Sequence, residues 1–236
     1  MQPSTRFLVS ILLTWAAGYV DAVGWLTWQH IYTANMSGNS VGIGISAASA
    51  DWARAALRAW PVLMYVLGLI LCRALVEIAG RRKRPHIAWL TFAIEVGLLL
   101  GVMVREPGAV AGIALLALAM GIQNATLTKF GAMTLHTGFV TGTLVKFAEQ
   151  FSAFLFWVFD HGGGLRAWAA QRQFRYSAWL VSVWIAYVIG AVLGAVADHR
   201  WAVAALAAPV VLLAGLAAYD LRYPLALADE IEQLRV

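Results

Sequence analysis

Two short stretches hold most of the polar chemistry of this chain, and they resemble each other. Thr33-Ala34-Asn35-Met36-Ser37-Gly38-Asn39 has a second copy in Thr137-Gly138-Phe139-Val140-Thr141-Gly142-Thr143. Each places a hydroxyl residue and a glycine at the start of an apolar run. Ser37 and Thr141 are suited to cap a helix, and Gly38 and Gly142 let another backbone approach closely. A helix that begins inside a membrane offers unpaired N–H groups and the positive end of its dipole. Two such ends facing one cavity would hold an anion or a carbonyl-rich neutral solute. Asn35, Ser37, Gly38, Asn39, Asn124, Thr137, Thr141, Gly142 and Thr143 are therefore the candidate substrate-binding residues. The alternative is that both stretches are tight polar turns that seal a helix break.

Two carboxyl groups lie inside apolar runs, where an ionisable side chain is costly and marks a functional-site candidate. Asp21 is flanked by Gly18, Ala22 and Gly24; Glu95 sits mid-run between Ile87 and Val104. Both are candidates for proton coupling. For Asp21 two further roles stay open: accepting hydrogen bonds from free N–H groups at the start of the following half-helix, or touching substrate. For Glu95 the alternative is a protonated side chain bonded to a neighbouring helix. Lys146 and Glu149 read as an interfacial helix face, and Arg73 and Glu77 as an i,i+4 pair.

Other chemistries find no support. His30, His86, His136, His161 and His199 have no metal-ligand spacing, and Cys72 is the single cysteine. No metal, no cofactor and no nucleophile elbow is expected, so an enzyme is not indicated. The formal charge of +5 suits basic cytoplasmic loops better than nucleic acid, for which no module is present.

The elements that must position these groups are membrane helices. Of the 236 residues, 61% are hydrophobic and 12% charged, with a mean hydropathy of +0.74. That is the composition of an integral membrane protein. Runs 7–27, 60–80, 86–104, 108–128, 177–197 and 201–221 are long enough to cross, giving an all-α architecture of about six transmembrane helices. The stretches 37–50 and 138–158 read either as full spans or as broken, re-entrant half-helices. Loop charge favours the second: with a cytoplasmic N-terminus, Arg81, Arg82, Lys83 and Arg84 fall inside together with Arg166, Arg172 and Arg175. Gly162-Gly163-Gly164 reads as a flexible turn within a linker over 160–176.

The duplication extends beyond the two blocks. Gly18-Tyr19-Val20-Asp21-Ala22 corresponds to Gly121-Ile122-Gln123-Asn124-Ala125, and Tyr65-Val66-Leu67-Gly68 to Tyr187-Val188-Ile189-Gly190. Asn124 thus keeps the shape of Asp21 without its charge. Repeat one spans 1–106 and repeat two 107–222 of a single membrane domain, with 223–236 as an amphipathic surface tail. Three spans per repeat place the halves in opposite orientations, the inverted-repeat plan of many secondary transporters. Gly68-x-x-x-Cys72 and Gly190-x-x-x-Gly194 suit close helix packing within or between chains, which leaves a homodimer open.

Gly18-x-x-Asp21-Ala22, followed by Thr33 through Met36-Ser37-Gly38-Asn39, resembles the YoaK family of bacterial multi-pass membrane proteins, with Ser37 where the block usually has threonine. The resemblance implies one membrane domain covering nearly the whole chain, and no settled substrate. The expected function is a secondary transporter for a small polar or anionic solute in the bacterial inner (plasma) membrane, driven by protons through Asp21 or Glu95. A channel lined by the same groups is the alternative, and a membrane-embedded enzyme a more distant one. Expected partners are the lipid bilayer, the solute and protons.

Overall fold

The computed structural model describes residues 3–82, 87–105, 108–126, 129–130, 133–134, 140–162 and 164–225. Its helices are α1 (Pro3–Thr27), α2 (Met36–Ala48), α3 (Trp52–Arg81), α4 (Ala88–Arg105), α5 (Ala109–Thr126), α6 (Val140–His161), α7 (Leu165–Ala170), α8 (Arg172–Trp201) and α9 (Ala207–Arg222). A 3-10 turn (Ala202–Leu206) joins α8 to α9. A two-residue antiparallel ladder pairs Lys129–Phe130 with Met133–Thr134.

Five segments are long and apolar enough to cross a membrane: Phe7–Thr27, Trp52–Arg81, Ala88–Arg105, Ala109–Thr126 and the 51-residue run Arg172–Arg222. The last holds both α8 and α9, broken at Ala202, whose φ is +46°. Much of the outer face is apolar: Ile70, Val104, Phe159 and Val211 are all exposed. Such a surface fits hydrocarbon and not water. The core contains Leu13, Val20, Phe92, Leu99, Leu116, Met120, Leu180 and Leu213, all fully buried.

Glycines set the two closest helix crossings. A Cβ on Gly18 would land on the Tyr187 carbonyl, one on Gly190 on that of Trp15, and one on Gly194 on that of Tyr19. These contacts join α1 to α8. Likewise a Cβ on Gly68 would meet the Leu118 carbonyl, and one on Gly121 that of Tyr65, joining α3 to α5. Small residues at such crossings let helices gain packing contacts where no hydrophobic force draws them together. The matched sequence landmarks therefore meet one another: Gly18 lies on Tyr187 beside Gly190, and Gly121 on Tyr65 beside Gly68.

Contacts along each pair fix helix direction. α1 and α8 run parallel, because Trp179 donates to Ser10 near their beginnings and Thr27 donates to Asp198 near their ends. α3 and α5 also run parallel, with Trp60 donating to the Val110 carbonyl early and Cys72 meeting Thr126 late. α1 and α5 are antiparallel. Gln123, late in α5, donates to the carbonyl of Leu13, early in α1, and Gly112, early in α5, lies under Trp28 just past the end of α1. Segment 127–171 thus leaves α5 and enters α8 at the same end of the bundle.

Several local expectations change. α2 has 13 residues, roughly 20 Å at 1.5 Å per residue, too short for a core of about 30 Å. α6 runs for 22 residues, so the two copies are unequal in length. Helix continues past Lys146 and Glu149 because both face outward or sit half-buried. The 160–176 linker is mostly helical, since α7 forms within it and α8 starts at Arg172. Glu77 pairs with Arg81 at 2.8 Å, one turn on, and not with Arg73. The proposed surface tail lies largely outside the described residues. Its start is tied down where Leu225 N–H donates to the buried Asp220, whose other oxygen takes Trp89 N–H at the start of α4.

Candidate functional site

α1 ends at Thr27, and the chain turns through Gln29 and His30, both with positive φ. It then folds back beside α1 until Thr33 and Ala34 lie against Asp21. Gly24 makes this return feasible, because a Cβ there would strike the Thr33 side chain. Asp21 Oδ1 accepts from Thr33 N (2.6 Å), Ala34 N (2.8 Å) and Thr33 Oγ1 (3.2 Å). Its Oδ2 accepts from the Tyr187 hydroxyl at 2.7 Å. The carboxyl group is buried with both oxygens engaged. Hydrogen bonds to a carboxylate are strong, and these satisfy backbone donors that a helix break would otherwise strand.

Asparagines close the same turn. Asn39 is fully buried and pairs with the Tyr32 peptide in both directions: Tyr32 N donates to its Oδ1 at 3.1 Å, and its Nδ2 donates to Tyr32 O at 2.8 Å. Asn35 is the N-cap of α2, accepting from Gly38 N. This corrects the expectation for Ser37, which is the second residue of the helix and donates to Asn35 Oδ1 at 2.8 Å. The cap falls two residues earlier because the Asn35 side chain, from outside the helix, accepts at Oδ1 from Gly38 N–H (3.2 Å). Gly38 is needed where Tyr32 lies over it, 2.8 Å from where a Cβ would stand. Asn35, Ser37, Gly38 and Asn39 thus share one turn with Asp21, and most of its donors are satisfied internally.

In the second half, Asn124 is buried and its Nδ2 donates to the Tyr65 hydroxyl at 2.7 Å. This repeats the Asp21–Tyr187 contact at the corresponding positions, with donor and acceptor exchanged. Thr137 lies outside the described residues. From Val140 onward α6 keeps the register of α2: Thr141, like Ser37, is the exposed second residue, Gly142 follows, and Thr143, like Asn39, is buried. No extensive packing joins α2 to α6; α2 packs on α3, and α6 on α8.

Glu95 is separate from the turn. It is fully buried on α4, and neither carboxyl oxygen has a hydrogen-bond partner among the described residues. Cys72 of α3 packs beside Ile94 and Leu98, which flank Glu95 on α4. Gln123 Oε1 and Thr14 Oγ1 are the other buried, unpartnered side-chain oxygens among the described residues. Those residues include no group of three or more His, Cys, Asp or Glu placed to hold a metal.

Tyr65, Tyr187 and Thr33 belong to this constellation, although they were not among the candidate site residues. The Tyr-x-x-Gly duplication was the signal. A tyrosine three residues before a crossing glycine lies one turn away on the same helix face, and its hydroxyl reaches the polar residue of the partner helix.

The chain is similar to known proteins. "UPF0700 transmembrane protein YoaK" of Bacillus subtilis (strain 168) is 26% identical over 216 residues, covering 87% of this chain and 89% of that protein. No solved structure matches. Residues 9–219 match the family described as "Protein of unknown function (DUF1275)". The chain is a transmembrane protein of this family, the YoaK family.

Proposed function

We propose that the protein is a secondary transporter for a small polar or anionic solute, built from two inverted repeats with six crossings. The observation that carries this reading is the pair of matched contacts, Asp21–Tyr187 and Asn124–Tyr65. Each lies at a glycine crossing between helices of different repeats. The helix directions support inversion, since α1 is antiparallel to its counterpart α5 and packs parallel to α8, the counterpart of α3. Irregular backbone at membrane depth is tolerated where protein buries it or where it lines a cavity. Transporters place such breaks at the interface of inverted repeats, and alternating access follows from exchanging the roles of the halves. The solute would contact Asn35 and Ser37 at the start of α2 and Thr141 at the start of α6, together with Thr137, which lies outside the described residues. Its movement is coupled to protons through an intramembrane carboxyl group. The protein sits in the bacterial plasma membrane with its N-terminus in the cytoplasm.

Two measurements test this. Single cysteines at Arg81 and Arg166, in a Cys72→Ala background, should both react with an impermeant maleimide only in inside-out vesicles. Labelling of the Arg166 variant alone in right-side-out cells overturns the inverted arrangement. Proteoliposomes should accumulate at least one of a panel of radiolabelled short carboxylates, sulfate, phosphate and small amides when a pH gradient is imposed. No uptake or exchange of any of them defeats the transport reading.

A further inference from the structure

The two intramembrane carboxyl groups have opposite surroundings, and that difference separates their roles. Asp21 is bound from three directions by Thr33, Ala34 and Tyr187. Removing its oxygens would release the turn it holds. Glu95 holds nothing among the described residues, where neither oxygen has a partner. A buried carboxyl group with no hydrogen bond is not a structural device, because it costs desolvation and returns no contact. Departures of this kind from local consistency are expected at functional sites, and above all within a membrane.

We propose that Glu95 is the proton-exchange site of this transporter, and that Asp21 is a positioning residue which keeps its hydrogen bonds throughout. The proposal rests on the transport reading above and names its coupling group. In the closed state Glu95 is a neutral carboxylic acid. When the packing of α4 opens to one side, its O–H gives the proton to an admitted water molecule, leaving carboxylate and hydronium. On the other side the carboxylate takes a proton back from hydronium, so each cycle moves one proton and leaves the protein unchanged.

The surroundings permit such a group to change charge. α4 packs on α5, α9 and the 3-10 turn. α5 and the 3-10 turn carry no titratable side chain. On α9 the titratable groups are Tyr219, Asp220 and Arg222; Asp220 is bound to Trp89 N and Leu225 N at the end of α4 away from Arg105. From α3, Cys72 packs beside Ile94 and Leu98 of α4, and its Sγ lies 3.7 Å from Thr126 Oγ1; the neighbouring Arg73 is exposed. No cation among the described residues neutralises Glu95, so its protonation follows its access to water.

Infrared difference spectroscopy of the full-length protein in liposomes, across a pH titration, reads the proton directly. A protonated-carboxyl band should be present at neutral pH, lost in Glu95→Gln, retained in Asp21→Asn, and diminished reversibly as pH rises. The proposal is overturned if Glu95→Gln leaves the band intact, if Asp21→Asn removes it, or if it stays constant to the pH at which the protein unfolds. In proteoliposomes Glu95→Gln should still exchange the solute across the membrane and lose at least tenfold in accumulation driven by a pH gradient. Wild-type protein that moves none of the panel while its Glu95 band titrates defeats the transport reading alone. Wild-type transport with full gradient-driven accumulation in Glu95→Gln defeats the Glu95 assignment alone.

Discussion

The Asp21 turn supports a stability prediction for which the molecule supplies its own control. Replacing Asp21 by alanine strands Thr33 N–H, Ala34 N–H and the Tyr187 hydroxyl, which donate over 2.6, 2.8 and 2.7 Å. Each buried, unsatisfied donor costs about 1–3 kcal/mol. Partial relaxation and water entry keep the sum toward the lower end, at about 3–6 kcal/mol. For a chain of this length 1 kcal/mol shifts the melting temperature by about 2–4 °C, so Asp21→Ala should melt roughly 6–24 °C lower. Asparagine behaves differently. Its amide oxygen keeps the two backbone donors, and its Nδ2 donates to the Tyr187 oxygen, as Asn124 already does to Tyr65 at 2.7 Å. Only the charge contribution is lost, about 1 kcal/mol, or roughly 2–4 °C. Fluorescence-monitored thermal unfolding of the detergent-purified protein measures both. Equal melting temperatures for the Ala and Asn variants, or a lower one for Asn, would refute the hydrogen-bond account of this turn.

Other consequences are as direct. Gly121→Val drives side-chain atoms into the Tyr65 carbonyl, backbone that cannot yield, and should abolish recovery of folded protein in size-exclusion profiles. Gly97→Ala, where nothing lies within 4 Å of the added Cβ, should raise the melting temperature by roughly 2–4 °C from about 1 kcal/mol of helix propensity. Asn39→Ala removes both bonds to the Tyr32 peptide and should cost about 1–3 kcal/mol, read from the same unfolding curves; an unchanged midpoint would show that Tyr32 finds water instead. Glu95→Leu should leave the midpoint unchanged or raise it, because an unpartnered buried carboxyl gives way to a hydrophobic residue that fits its surroundings. A loss of several degrees would reveal a hydrogen-bond partner for Glu95.

The sequence displayed the repeat but not how its parts meet. Gly18, Gly68, Gly121 and Gly190 stand out as paired landmarks, and each occupies a close helix crossing. That Gly18 would face Tyr187, and not Tyr65, depends on how helices far apart in the chain pack together. No local pattern encodes that exchange. The open acceptor role of Asp21 was legible, since a carboxylate before a helix break has N–H donors within reach. The N-cap was misplaced on Ser37 because propensity ranks serine and asparagine nearly equally; the fold of Tyr32 over Gly38 decides for Asn35. Helix α6 runs unbroken through nearly all of the 138–158 stretch, because Lys146 is half-buried and Glu149 exposed, and charged residues on an outward face do not end a helix.

On the proposed inverted-repeat reading, duplication would also explain why the halves differ where they do. In two copies of one fold, a position that only seals a turn tolerates any residue able to make the same contact. Asn124 and Asp21 meet that condition, since each binds the tyrosine hydroxyl opposite it, one as donor and the other as acceptor. Charge at this position is therefore not required by the geometry the halves share. A device that must bind and release a proton needs the reverse conditions: an ionisable group free of structural duty, a dry neighbourhood while closed, and no counter-charge fixing its state. Asp21 fails the first condition, and Glu95 meets all three among the described residues. Its counterpart region in the second repeat carries Pro209, which has no proton to exchange. A proton path would accordingly pass through one half of the molecule only, and the asymmetry between repeats would set which carboxyl group answers to pH.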